Sequence, residues 1–252
     1  MEFGVQTFTV RRAQKKSIEK AYLPLIELGI KSFEVARINF SKENARLISS
    51  LIEKHGIEIS SIQVKPKYVF SEHTKIIEFC KATKCKNVVI SMLPFGCILG
   101  NEKKFYTFLS QLDEWYEIYE KSGITLAFHH HNWEYIRLSN GKTRMHELLY
   151  KTKRIKFVHD TYWSARSGVA PDVQIKEFGN RLLGVHLRDL AFKKRGLKVL
   201  PHDCAIGDGV IDFSAVLSAV STSGCEYLVI EQNTKAPYSE IEKSFKNLSK
   251  IK

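Results

Sequence analysis

The chain has 252 residues, 44% hydrophobic and 26% charged, the proportions of an ordinary globular protein and room for one large domain or two small ones. Its formal net charge of +12 raises nucleic acid and anionic ligands as partners, yet the basic residues are scattered through RRAQKK, KPK, KTKRIK and KKRGLK. No basic run alternates with aromatics as a single-strand groove requires, and five cysteines without a C-x-x-C pair exclude a disulfide framework and a structural zinc knot.

The opening MEFGVQTFTV lacks the basic start and long apolar core of a signal peptide, so a cytoplasmic protein is expected. It is also the first of eight short β-type runs, followed by FEVAR, IEISSIQV, NVVIS, ITLAFH, IKFVHD, LGVHL and YLVIEQ. Helix-like segments lie between them. In SKENARLISSLIEKHG, Ser41 is the expected N-cap and Gly56 the C-terminal stop. The most apolar stretch, VVISMLPFGCILG, is broken by Pro94 and Gly96 and is too short to span a bilayer. EKKFYTFLSQLDEWYEIYEKSG sets Phe105, Leu109, Leu112, Trp115 and Tyr119 on one stripe. DFSAVLSAVSTSG has Asp212 as N-cap and Gly224 at its stop, and YSEIEKSFKNLSKIK closes the chain as a helix. Strands separated by single helices pair in parallel, since a parallel neighbour needs a crossover. Eight units in 252 residues, about 31 residues each, predict an α/β fold, a (β/α)₈ TIM barrel over residues 1–252 as a single domain. An open doubly wound sheet announces itself by a glycine-rich phosphate loop after its first strand, and GVQTFTVRRAQ has none.

In such a barrel the chemistry gathers at the carboxyl ends of the strands. Polar residues end the runs at Glu34, Gln63, His129 to His131, Asp160, His186 and Glu231. Taken singly, an Asp after a strand is usually a helix cap, and a His there is usually a hydrogen-bonded structural residue. His129, Asp160, His186 and Glu231 end four successive strands, however, and the barrel brings such ends to one axis. Mixed imidazole and carboxylate donors suit manganese, zinc, cobalt or ferrous iron better than calcium. Strand alternation turns His129 and His131 inward and His130 toward the helices.

GVQTFTVR, ELGIKSFEVA, AFHHHNWEY, FVHDTYW, RLLGVHLRDL, IGDGVIDF and YLVIEQ follow one another in an order that resembles the xylose isomerase-like barrel superfamily, in its sugar phosphate isomerase/epimerase branch. The resemblance implies one divalent metal ion (manganese, zinc, cobalt or magnesium) held from strands five to eight, usually by Glu, Asp, His and Glu. Asp160 of HDTYW, His186 of VHLRD and Glu231 of VIEQ match the last three. His129, three residues before Asn132, stands where the family usually has its first Glu; some members of the branch carry a His-x-His pair there, as here. The implied reaction is isomerisation or epimerisation of a small sugar, keto-sugar or sugar acid, moving a proton beside a carbonyl through a metal-stabilised enediolate. Glu231 is the expected base. His129, His131 or Glu134, reaching in from its loop, takes the second acid–base role, and the alternative is a one-base dehydration of a keto-inositol type substrate.

Arg188 shares a strand face with His186 and is a candidate for holding a carboxylate or phosphate, or else a rim salt bridge. Trp163 and Tyr162 are candidates for stacking on a sugar, and Glu34 and Gln63 for orienting the ligands from behind. The basic loop AFKKRGLKVLPHDCA reads as a lid over an anionic substrate or as a solvated loop. The apurinic-site endonucleases share this barrel, but their extra metal ligands fall at Trp163, Pro201 and Asp203 here, which argues against a nuclease. A non-catalytic sugar-binding barrel is disfavoured by the retained Asp160, His186 and Glu231. The expected partner is thus a small sugar or polyol, with no nucleic acid or membrane, and the sequence leaves a homo-oligomer open.

Overall fold

Each apolar run is short and forms a barrel strand, and all but the seventh lead directly into a helix. The computed structural model describes residues 2–251; Met1 and Lys252, the ends of the opening segment and of the expected closing helix, lie outside the described residues. The strands are β1 (Phe3–Gln6), β2 (Ser32–Val35), β3 (Glu58–Val64), β4 (Asn87–Ile90), β5 (Thr125–His129), β6 (Lys156–Asp160) and β7 (Leu182–Leu187). A hairpin of β8 (Asp189–Arg195) and β9 (Lys198–Cys204) comes next, and β10 (Tyr227–Ile230) completes the barrel. The parallel order β1-β10-β7-β6-β5-β4-β3-β2 closes on itself, so the fold is a (β/α)₈ TIM barrel.

The helix signals act as local chemistry requires. Ser41 Oγ accepts the Asn44 N–H at 3.2 Å to start the helix Lys42–His55, and Gly56, at φ 63°, ends it. Asp212 caps Phe213–Ser221 through the N–H groups of Ser214 and Ala215. That helix ends before Gly224. A Cβ on Gly224 would come within 3.2 Å of the Asn180 backbone, so this glycine serves close packing. The last helix, Pro237–Leu248, is shorter than the run that suggested it. The basic loop after β7 is a correction of a different kind. It is a regular antiparallel hairpin in which Arg195 faces Lys198 across a two-residue turn, with Gly196 at φ 62°. Among the described residues no helix is long and apolar enough to cross a membrane.

Two apolar layers position the site. The larger lies between strands and helices. The smaller fills the barrel, where Val89, Ala127, Val158, Leu183, Tyr227 and Val229 form a plug. Above the plug, strand alternation points Gln6, Glu34, Gln63, His129, Asp160, His186 and Glu231 toward the axis. A register shift between β6 and β7 at Phe157/Val158 sets Val158 opposite Gly184 and Asp160 opposite His186, which places these two end residues side by side.

Candidate metal centre at the barrel mouth

His129, Asp160, His186 and Glu231 are all buried, and each offers one ligand atom within 4.8 Å of the others. His129 Nε2 lies 3.5 Å from Asp160 Oδ2, and His186 Nδ1 lies 2.8 Å from Glu231 Oε2 and 3.9 Å from Asp160 Oδ2. Both ring nitrogens face these carboxylate oxygens without the alignment of a hydrogen bond. Ligands about 2.1 Å from a shared ion stand roughly 3 to 4 Å apart, so this two-nitrogen, two-oxygen set is near the spacing of a divalent transition-metal site and closes onto one with small side-chain shifts. Asp160 serves twice. Its Oδ1 caps the helix Thr161–Arg166 by accepting the Trp163 N–H at 3.0 Å, leaving Oδ2 for the cluster.

Behind this cluster stands Glu34. Its Oε1 accepts from His186 Nε2 at 2.7 Å and Gln63 Nε2 at 2.9 Å, and its Oε2 accepts from Ser61 Oγ at 2.5 Å and Tyr227 Oη at 2.8 Å. Burial alone would raise its pKa, but the His186 charge and these donors outweigh burial and hold it at about 2. The same contact fixes the His186 ring and leaves Nδ1 facing the cluster, the carboxylate–histidine arrangement that orients metal ligands. Burial lowers the His186 pKa, and Glu34 and Glu231 together overcome it, raising it to about 10.

A cavity of about 620 Å³ opens over the cluster, and His129, His131, Gln63, Trp163, Arg188 and Glu231 line it. Glu231 is held ionised there. Burial opposes this, but Arg188 and His186 prevail, and Gln6 Nε2 donates to Oε2 at 3.2 Å. Arg188 Nη1 donates to Asp160 Oδ2 and Glu231 Oε1, both at 3.1 Å, and its Nε donates to Asp203 Oδ2 at 3.2 Å. Its guanidinium therefore already has three carboxylate partners, and it also lies 4.9 Å from the Tyr162 ring centroid and 5.5 Å from that of Trp163. His131 packs its ring against those of His129, Trp133 and Trp163, and burial holds it neutral. His130 points outward, where its Nε2 accepts the Asp160 N–H at 3.1 Å and meets His159 Nδ1 at 3.0 Å.

Glu134 is not brought to this cavity. Its Oε2 accepts the His131 backbone N–H at 2.8 Å, so the carboxylate folds back on its own loop, and burial raises its pKa to about 7. Sequence reasoning missed Gln6, Tyr227 and Asp203. Tyr227 has the parity of Glu231 along β10, and Gln6 ends β1 as a polar residue after an apolar run; both signals were available. Asp203 reaches Arg188 only because the hairpin folds back, and no short-range pattern marks that.

A family model described as a xylose isomerase-like TIM barrel matches residues 24–251. No curated protein matches the sequence. Among solved structures, a sugar phosphate isomerase/epimerase from Parabacteroides distasonis is similar at TM-score 0.76 and 19% identity, covering 99% of this chain and 95% of that one. The probable 3-DHS dehydratase AsbF from Bacillus anthracis is similar at TM-score 0.75 and 10% identity over 100% of both chains. The IOLI protein with a binding zinc atom is similar at TM-score 0.71 and 16% identity, over 100% of this chain and 98% of that one. At such identities the structural likeness speaks for the fold, and with the family match it leads to one conclusion: this chain belongs to the xylose isomerase-like TIM barrel family.

Proposed function

We propose that the protein is a divalent-metal-dependent isomerase or epimerase of a small sugar, keto-sugar or sugar acid. One observation carries this reading: His129, Asp160, His186 and Glu231 converge within 4.8 Å, and His129 and Glu231 of these four line a cavity at the carboxyl ends of the strands. A divalent cation bound by these four side chains supplies Lewis-acid polarisation of a substrate carbonyl and its neighbouring hydroxyl.

The chain's own residues handle the proton. Glu231 faces the cavity as a carboxylate and is the base that takes a proton from the carbon beside the carbonyl. Asp160 and Glu34 are fully buried beneath it. Glu134 is turned away, so Glu231, protonated by that step, returns the same proton at the other carbon, while His131, a neutral imidazole on the cavity wall with an unpartnered Nδ1, is placed to hydrogen-bond a substrate hydroxyl. Trp163 presents an apolar face beside His131, suited to the C–H face of a sugar. The presence of one cavity-facing carboxylate beside the cluster favours a second reading, dehydration of a keto-inositol type substrate with Glu231 as single base.

Metal analysis by plasma mass spectrometry after incubation with manganese, zinc or cobalt tests the centre. About one ion per chain is expected, lost in Asp160→Ala and Glu231→Ala. Protein that takes up no metal under any of these conditions overturns the reading. Solvent deuterium entering a ketose then separates isomerisation from dehydration, which releases water and an unsaturated product.

A further inference from the structure

The charged groups of the cavity are not balanced around its wall. Arg188 is matched by Asp160, Glu231 and Asp203, and Lys75 by Glu72 at 3.3 Å. Arg37 and Lys65 also line the cavity, and among the described residues neither has a carboxylate within 4 Å. They follow β2 and β3. In the closed strand order, β2 stands across the barrel from β6 and β3 across from β7, so these two cations face the Asp160 and His186 side.

The backbone at this rim is held in place. Arg37 has φ 60°, in the left-handed region that costs a residue with a Cβ free energy. Its neighbour Ala36 is clamped: the Ala36 N–H donates to Thr7 Oγ1 at 2.9 Å, and Gln14 Nε2 donates to the Ala36 carbonyl at 2.7 Å. Phe8, also on the cavity wall, has the Arg11 guanidinium 3.9 Å and the Arg37 guanidinium 5.2 Å from its ring centroid. Arg11 donates to the Phe8 carbonyl and to Asn233 Oδ1, both neutral acceptors. Like charges are thus gathered around one aromatic ring with no carboxylate within ion-pair distance among the described residues, although Glu231 attracts Arg11 from farther off, and an anion relieves such an arrangement.

We propose that the loops after β1, β2 and β3 form an oxyanion subsite, in which Arg37 and Lys65, backed by Arg11, hold a phosphate or carboxylate on the substrate end opposite the metal cluster. The subsite deepens the sugar isomerase reading and rests on it for the rest of the substrate. It relocates anion recognition from Arg188, whose donors are taken by the protein's own carboxylates, to cations that have none. Guanidinium and ammonium groups both bind such oxyanions, the former in a forked geometry.

The test is a ligand-observed NMR titration at fixed ionic strength on manganese-incubated protein, with glycerol 3-phosphate, glycerate and glycerol as probes. At least one of the two anions is expected to bind about fivefold or more tighter than glycerol, the scale of one charge-assisted contact at a partly exposed site. Preference for the phosphate ester identifies a phosphorylated substrate; preference for glycerate identifies a sugar acid. Arg37→Gln and Lys65→Gln each remove most of that preference, whereas Lys193→Gln on the hairpin leaves it. No preference over glycerol, or a preference that survives both rim substitutions, overturns the subsite. Repeating the titration in Asp160→Ala keeps the two readings apart, because that variant loses metal and retains the anion preference.

Discussion

At the scale of single residues, the two carboxylates expected to handle protons, Glu231 and Glu134, differ because of what surrounds them. Glu231 is next to Arg188 and His186 and stays charged; Glu134 accepts one backbone N–H and has a second oxygen buried without a partner. Burial therefore prevails at Glu134 and raises its pKa to about 7. A carboxyl whose folded pKa lies above its unfolded value favours folding while protonated. Its contribution is full at acid pH and is lost as pH rises from the unfolded value of 4.5 through 7, at a cost of about 3 kcal/mol. Glu134→Gln removes the titration and keeps an oxygen for the His131 N–H. Thermal melts from pH 5 to pH 8 are expected to show the variant gaining on the native chain with rising pH. A difference that stays flat across that range means the group carries no buried charge. The sequence placed Glu134 near the site through its neighbours in HHHNWEY, but a side chain's direction off a loop is set by which backbone donor it meets. No spacing rule encodes that.

At the scale of elements, apolar runs ending in a polar residue revealed the strands, because a barrel strand buried on both sides leaves its chemistry only at its end. The caps at Ser41 and Asp212 were legible for the same local reason. The hairpin β8–β9 was not. Its Phe192, Leu197 and Val199 are exposed, so no burial pattern marks it, and its link to the site runs through the Asp203–Arg188 ion pair. Nor was the packing of β7 against β10 legible. A Cβ on Gly184 would sit 2.4 to 2.8 Å from the Tyr227 ring, and that ring reaches past β1 to donate to Glu34 on β2. Gly184→Ala must therefore push the ring away and break the contact behind His186. Overpacking of this kind costs about 1–3 kcal/mol, which lowers the melting temperature by roughly 2–4 °C per kcal/mol in a chain this size. Tyr227→Leu in the same background relieves the clash, so the double variant is expected to be less destabilised than the two single effects combined. Strict additivity would show that the ring is not what excludes a side chain at 184.

At the scale of the whole molecule, the excess of 39 basic over 27 acidic residues is a property of the surface, since the buried charged groups of the site are matched among themselves. Exposed ion pairs such as Lys75–Glu72, Lys176–Asp172 and Lys246–Glu242 join neighbours on one helix and are individually weak. They leave most of the surplus cations repelling one another across a small sphere. Such repulsion acts over about 30 Å at 0.01 M salt and about 8 Å at 0.15 M, so sodium chloride relieves it long before it weakens the buried network. The melting temperature of the native chain is therefore expected to rise by a few degrees between 10 and 150 mM sodium chloride at pH 7, in line with a gain of about 1 kcal/mol for a chain of this size. Two surface replacements of lysine by glutamate on the hairpin, Lys193→Glu and Lys198→Glu, reduce the net charge by four and should flatten that rise without changing metal content. A melting temperature that falls with added chloride would instead mean that attractive surface pairs outweigh the excess, and the +12 would then be a sum over local clusters with no field of its own.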